Sequence, residues 1–156
     1  MVCLGLATMG WALDVPKGPV VLEVTGNIMQ TNSNGEAHFD RQMLLALPQH
    51  ETLTGLPWID GQSRFRGPLL RAVLSAVGAR GEAITVHAIN GYQSQIPTED
   101  AERYAVILAM SRDGKSMRVR DRGPLFVVYP FDDHHQLNSN IYYSRSVWQV
   151  ARIEVQ

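Results

Sequence analysis

The sequence predicts an α+β domain in which strands outnumber helices. Three observations carry that expectation. In Val20–Ile28 (VVLEVTGNI), Val20, Leu22 and Val24 alternate with Val21, Glu23 and Thr25, the period of a strand with one apolar face. The clearest helical spacing is confined to residues 65–79, where Leu69, Leu70, Val73, Leu74 and Val77 form one stripe. The 13 Gly and 8 Pro residues break the chain more often than a helical bundle tolerates.

At 156 residues the chain is the size of one domain with a real core, and 45% of it is apolar. The formal net charge is −1 and no basic stripe occurs; the densest cationic cluster, Arg64, Arg66 and Arg71, has Asp60 nearby. That balance gives no electrostatic case for nucleic acid or an anionic membrane as partner. Residues 1–12 (MVCLGLATMGWA) contain no charge. The run is too short to span a bilayer, which takes about 20 apolar residues. It reads as the apolar remnant of a secretory signal peptide, with Gly10 and Ala12 as the small residues before cleavage. The expectation is an exported, periplasmic protein whose folded domain covers residues 18–156 and whose mature chain does not insert in the membrane. Cys3, the only cysteine, falls in the leader, so neither a disulfide framework nor a cysteine zinc site is expected.

After the first strand, the polar run Gln30–Gly35 makes a turn, and Asp40 caps a short helix over Arg41–Leu47 that stops before Pro48. Thr52 and Thr54 flank Leu53 in a short strand, which Gly55 and Pro57 then break. Trp58 stands in the loop that follows, either as a lid on the core edge or as a platform for a ligand. A helix is expected over Phe65–Ala79, with Pro68 in its first turn and Gly78 at its end. Ile84–Ala88 is a strand that runs into Asn90-Gly91, a pair suited to a tight turn, and Tyr92 follows directly. An acidic helix start comes at Thr98-Glu99-Asp100. Tyr104–Met110 reads as a continuous buried strand, and Asp113-Gly114 as a hairpin turn into a solvated edge strand with Arg118, Arg120 and Arg122. Leu125–Tyr129 and Ser146–Val155 complete the strands, and Trp148 inside the last one reads as core.

No enzyme signature is present. GxSxG, CxxC and HExxH are absent, and Asp14, Glu51, Glu99 and Asp100 form no pair the spacing would nominate for acid–base work. Asp132, Asp133, His134 and His135 are adjacent and therefore diverge, which suits a solvated turn better than a metal site. A single carboxylate from the Asp132-Asp133 pair suits a heterocycle with an N–H and an amino group on one edge, where it accepts both bonds. What remains is a set of aromatic and amide groups near strand ends: Trp58, Phe65, Asn90, Tyr92, Tyr129, Tyr142 and Trp148. Such groups grip planar ligands, or simply pack.

The segments VTGNI, PWIDGQSRFRGPLLRAVL, AINGYQSQIPTED, YAVILAMSRDGK and DRGPLFVVYPFDD…SVWQVARIEV, in this order, resemble the oxidoreductase molybdopterin-binding domain, the sulfite-oxidase fold. The resemblance spans Val20–Val155 and implies a mixed α+β domain with a ligand cleft lined by loops. Catalytic members hold molybdenum through a cysteine ahead of the segment matching Phe65-Arg66-Gly67. Here residues 48–65 contain none, and Thr52 or Thr54 is no substitute for a soft thiolate. The chain is more similar to small, exported, cysteine-free members that bind reduced pterins. These serve as periplasmic partners of membrane receptors carrying cyclic-di-GMP synthase and phosphodiesterase domains. The resemblance thus implies a non-catalytic, tetrahydropterin-type binding protein. Its expected site is Trp58, Phe65 and Tyr92 for stacking, with Asn90 and Asp132 as polar contacts. The alternative is a molybdenum-cofactor oxidoreductase, or a subunit of one, with an atypical metal ligand.

Overall fold

The computed structural model describes residues 13–156, so the expected leader remnant at 1–12 lies outside the described residues. The elements in chain order are β1 (Val20–Gly26), β2 (Ala37–Asp40), α1 (Arg41–Leu45), β3 (Gln49–Leu56), β4 (Ile59–Pro68), α2 (Leu70–Ala76) and β5 (Ala83–Ala88). There follow β6 (Gln93–Pro97), α3 (Thr98–Arg103), β7 (Ile107–Ala109), β8 (Ser111–Arg112), β9 (Lys115–Ser116), β10 (Phe126–Val128), α4 (Asn140–Arg145) and β11 (Val150–Val155). This is the mixed-sheet α+β architecture of a sulfite-oxidase-type fold. Among the described residues no helix is long and apolar enough to cross a membrane.

One sheet runs in the order β2-β1-β11-β5-β6, with only β1 and β11 parallel. Leu22, Val24, Ile84, Val86, Ile153 and Val155 are buried on one face of this sheet, while their neighbours Glu23, Thr85 and Arg152 lie on the other. A second sheet, β3-β4-β8-β9, is antiparallel, and β7 pairs with β10 in a short ribbon. Phe65, Leu108, Phe126 and Val127 fill the core from these strands, and α2 adds Leu70, Val73 and Leu74. The two groups of strands meet closely at Gly67, where a Cβ would lie 2.1 Å from the Leu108 carbonyl oxygen. Only glycine lets the backbones approach that far.

Asp40 caps α1 as expected: its carboxylate accepts from the Met43 backbone N–H at 2.9 Å, and also from those of Lys17 and Gly18. Asp113 and Gly114, both at positive φ, form the hairpin turn between β8 and β9. Four expectations are corrected. The helix predicted over 65–79 begins only at Leu70. Phe65–Pro68 is instead strand, because Phe65 and Gly67 alternate inward against outward Arg66, the whole segment pairs with β3, and Phe65 and Arg66 also pair with β8. The buried run 104–110 is strand only at Ile107–Ala109. Arg118–Arg122 is no edge strand; Val119–Asp121 forms a 3-10 turn closed by Arg122 at φ 73, with Arg118 paired to Asp121 at 2.6 Å. The last strand starts at Val150 rather than Ser146, since Gln149 sits at φ 55 and breaks extension.

Candidate functional site

Three separate segments of the chain enclose a cavity of about 360 Å³ lined by Trp58, Ala88, Asn90, Tyr92, Tyr143, Ser144, Ser146 and Trp148. The first wall is the two-residue turn Pro57-Trp58 that joins β3 to β4, where Leu56 pairs with Ile59. Asp132 fastens this hairpin. Its carboxylate accepts from the Gly55 N–H at 3.3 and 3.4 Å and from the Gln62 side-chain amide, and the Thr54 hydroxyl lies 3.3 Å away. The Asp132 N–H in turn donates to Thr54 Oγ1 at 3.3 Å.

The second wall is the turn between β5 and β6. Gly91 takes φ 89, and Asn90 Oδ1 accepts from the Tyr92 N–H at 3.0 Å, an Asx turn that presents both side chains to the cavity. The Ile89 N–H donates to the Gln149 carbonyl at 2.9 Å, which ties this turn to the segment just ahead of β11.

The third wall is α4 and the four residues after it. None of the α4 residues is fully buried, so the helix depends on aromatic and polar contacts rather than on a core-facing stripe. Tyr143 packs against Phe131 and Trp58 with ring centroids 5.2 and 6.3 Å apart, and Tyr142 packs against Tyr129 and Tyr104. The Tyr92 hydroxyl donates to the Ser144 carbonyl at 2.7 Å. Arg145 pairs with Asp100 of α3 at 2.9 Å, and Asp100 also accepts from the Tyr129 hydroxyl at 2.7 Å. Burial, and then the neighbouring Asp100, push the Tyr129 phenol far above its ordinary value. Desolvation, and then the hydrogen bond with Tyr104, raise that of Tyr142.

Trp148 closes the cavity. It stands outside the strand, with its ring 5.3 Å from that of Trp58 and the Arg122 guanidinium 5.4 Å from its centroid. Four aromatic rings therefore border the space, Asn90, Ser144 and Ser146 supply polar groups, and none of the eight lining residues is charged. The indole N–H of Trp58 is buried with no partner among the described residues. A buried donor left unpaired costs free energy that an acceptor on a ligand would recover.

Of the five residues expected at the site, the structure brings Trp58, Asn90 and Tyr92 to one cavity. Phe65 is elsewhere: it is fully buried on β4 and packs edge-on against Phe126 at 5.7 Å, because its strand position points it into the core. Asp132 is next to the site rather than on its wall, with its oxygens already bonded to the Trp58 hairpin. Tyr143, Ser144 and Ser146 are lining residues that sequence reasoning missed. The consecutive tyrosines Tyr142-Tyr143 after a polar Asn138-Ser139-Asn140 run were the available signal.

Among the described residues the lining has no thiolate, carboxylate or imidazole, a set that does not fit a metal ion ligated by the protein. Thr52 and Thr54, in the stretch where a cysteine would be needed, are buried on β3. Nor does the wall carry a cation for a phosphate group. The donor set fits a flat, uncharged ring. Away from the cavity, Glu23, Glu36 and His38 bring potential ligand atoms within 4.8 Å of one another, and His38 and Glu36 already pair at 2.7 Å.

The cavity is thus bordered by aromatic rings and a few neutral polar groups. The family model of the oxidoreductase molybdopterin binding domain matches residues 23–155, and the chain belongs to that family. No curated protein matches it.

Proposed function

We propose that this protein binds a reduced pterin of the tetrahydropterin type, without metal and without chemical turnover. One observation carries the reading: a family whose cofactor is pterin-based is represented here by a cavity bordered by four aromatic rings and, among the described residues, no metal-ligating side chain. A pterin ring would stack on Trp58 or Trp148, with Asn90, Ser144 and Ser146 serving its polar edge and the unpaired Trp58 N–H available to an acceptor. A cavity of about 360 Å³ is near the small end of ligand sites, which span about 300–1,000 Å³, and this favours a bicyclic ring over a larger cofactor.

The proposal extends to cellular role. The uncharged stretch at 1–12 and the similarity to exported, cysteine-free members support a periplasmic location. There the pterin-bound protein would partner the periplasmic domain of a membrane receptor with cyclic-di-GMP synthase and phosphodiesterase domains. Ligand would act by shifting the protein between surfaces of different receptor affinity.

Calorimetric titration with tetrahydropterin, together with metal analysis of protein from its native compartment, tests the core of the reading. Saturable binding by metal-free protein is expected. Stoichiometric molybdenum would instead favour an oxidoreductase with an atypical ligand. Fractionation of the full-length chain and co-purification with the receptor, with and without added pterin, test location and partner.

A further inference from the structure

We infer that Asp100, which lies outside the cavity, is a positioning residue for its ligand. The inference rests on the reading of the cavity as the binding site. Two cavity residues, Tyr143 and Ser144, belong to α4, and Ser146 follows it directly. This six-residue helix buries no residue fully, so apolar packing alone does not fix where it sits. Its C-terminal residue, Arg145, reaches α3 and donates to Asp100 Oδ2 at 2.9 Å. The same oxygen accepts from the hydroxyl of Tyr129, which is fully buried on the core side.

Asp100 is itself only 6% exposed. A carboxylate at that depth must be paired, and its two donors come from the core and from the cavity wall. It therefore joins α4 to the rigid part of the molecule at one atom. The guanidinium also sits 5.1 Å from the Tyr142 ring, so the same contact orients the residue before Tyr143. At its other side α4 is held by the Tyr92 hydroxyl on the Ser144 carbonyl, at 2.7 Å. Beside the ring packing of Tyr142 and Tyr143 and the Tyr143 hydroxyl on Asn138 Oδ1 at 3.2 Å, these two bonds tie the wall to the ligand turn and to α3. Loss of the Asp100 anchor frees α4 to shift, which moves Tyr143 and Ser144 without removing any group that touches the ligand.

The test compares Asp100→Asn, Arg145→Met and Arg145→Lys with Val73→Ala, a core truncation in α2 at a residue that does not line the cavity. Tetrahydropterin affinity is read by quenching of tryptophan fluorescence at a temperature where every variant is folded. Hydrogen exchange is read for amides 140–146. Asp100→Asn and Arg145→Met should weaken binding about tenfold and speed exchange selectively in 140–146. Arg145→Lys, which keeps the charge at a single-bond contact, should restore most of both. Val73→Ala should lower thermal stability while leaving affinity within about twofold of the parent. Equal affinity loss in Asp100→Asn and a Val73→Ala protein of matched stability overturns the inference, and so does unchanged exchange in 140–146. If the parent protein itself fails to bind tetrahydropterin, the pterin reading falls, and the exchange measurement still decides whether Asp100 anchors the wall.

Discussion

The rings of Trp58 and Trp148 lie 5.3 Å apart with their planes at 60°, although the residues come from opposite halves of the sequence. Neither ring belongs to a regular strand or helix: Trp58 sits in a hairpin turn, and Trp148 just ahead of β11. Each is held by groups outside the cavity, Trp58 through the Asp132 clamp on its hairpin and Trp148 through Arg122. The two tilted rings pack against each other, and both line the cavity.

Replacing either ring should therefore weaken pterin binding. Trp58→Ala and Trp148→Ala are each expected to cost about 1–3 kcal/mol of affinity for tetrahydropterin, the scale of stacking a heterocycle on an aromatic side chain. Because the two rings touch, the double variant should lose less than the sum. Calorimetry at constant pH measures all three. Unchanged affinity in both single variants would place the ligand outside this cavity.

Asp132 should act through stability before it acts through binding. Its carboxylate gathers the Gly55 N–H and the Gln62 amide, so Asp132→Ala leaves the hairpin that carries Trp58 short of acceptors. The expected loss is about 1–3 kcal/mol in urea unfolding. Asp132→Asn, which retains one acceptor oxygen, should fall between the two. If Asp132 instead met the ligand directly, Asp132→Asn would reduce affinity sharply with little change in the unfolding midpoint.

What the sequence made legible was local chemistry. Apolar alternation located β1 and β5, Asp40 announced α1, and Asn90-Gly91 and Asp113-Gly114 marked real turns. Family-level similarity then supplied the mixed-sheet fold. The failures have a common physical cause: a local signal was outweighed by tertiary pairing. Pro68 looked like a helix start, yet it ends a strand whose Phe65 and Gly67 fit between β3, β7 and β8. Trp148 looked like a core strand residue, yet Gln149 at φ 55 ends the extension and leaves the ring on the cavity wall. The α4 wall was hardest to see. It has no apolar stripe, and what holds it, Asp100, lies in a different helix.

Acid should loosen the N-terminal side of the domain through Asp40. Backbone N–H groups of Met43 and Gly18, in that order, hold its carboxyl below the ordinary carboxylate value. A folded pKa depressed in this way adds stability that is complete above the unfolded value, 3.8, and is lost as pH falls through the folded one. Asp40→Asn, which can still cap α1 but does not titrate, should show a flatter loss of stability on acidification. Urea midpoints from neutral pH down through the carboxylate range read the difference. Parallel acid profiles for the two proteins would remove Asp40 from the account.

The alkaline limb should report Tyr129. Burial chiefly, and then the Asp100 carboxylate that accepts its hydrogen bond, keep this phenol neutral in the folded protein well above the ordinary tyrosine value of 10.0. The sign follows from linkage. In the unfolded chain the same phenol ionises near that ordinary value, so the unfolded state binds fewer protons once pH exceeds it. Tyr129 thus contributes stability that is fully present below pH 10.0 and declines as pH rises beyond it. For one such group the decline approaches about 1.4 kcal/mol per pH unit. Tyr129→Phe removes the titration together with the bond to Asp100. It should therefore be less stable than the parent near neutrality yet lose stability more gently above pH 10. Tyr142, raised for the same first reason, leaves a residual slope in that variant. Urea midpoints taken between about pH 8 and pH 11 measure both effects. Identical slopes in parent and Tyr129→Phe would mean that the folded protein admits the phenolate as readily as water does.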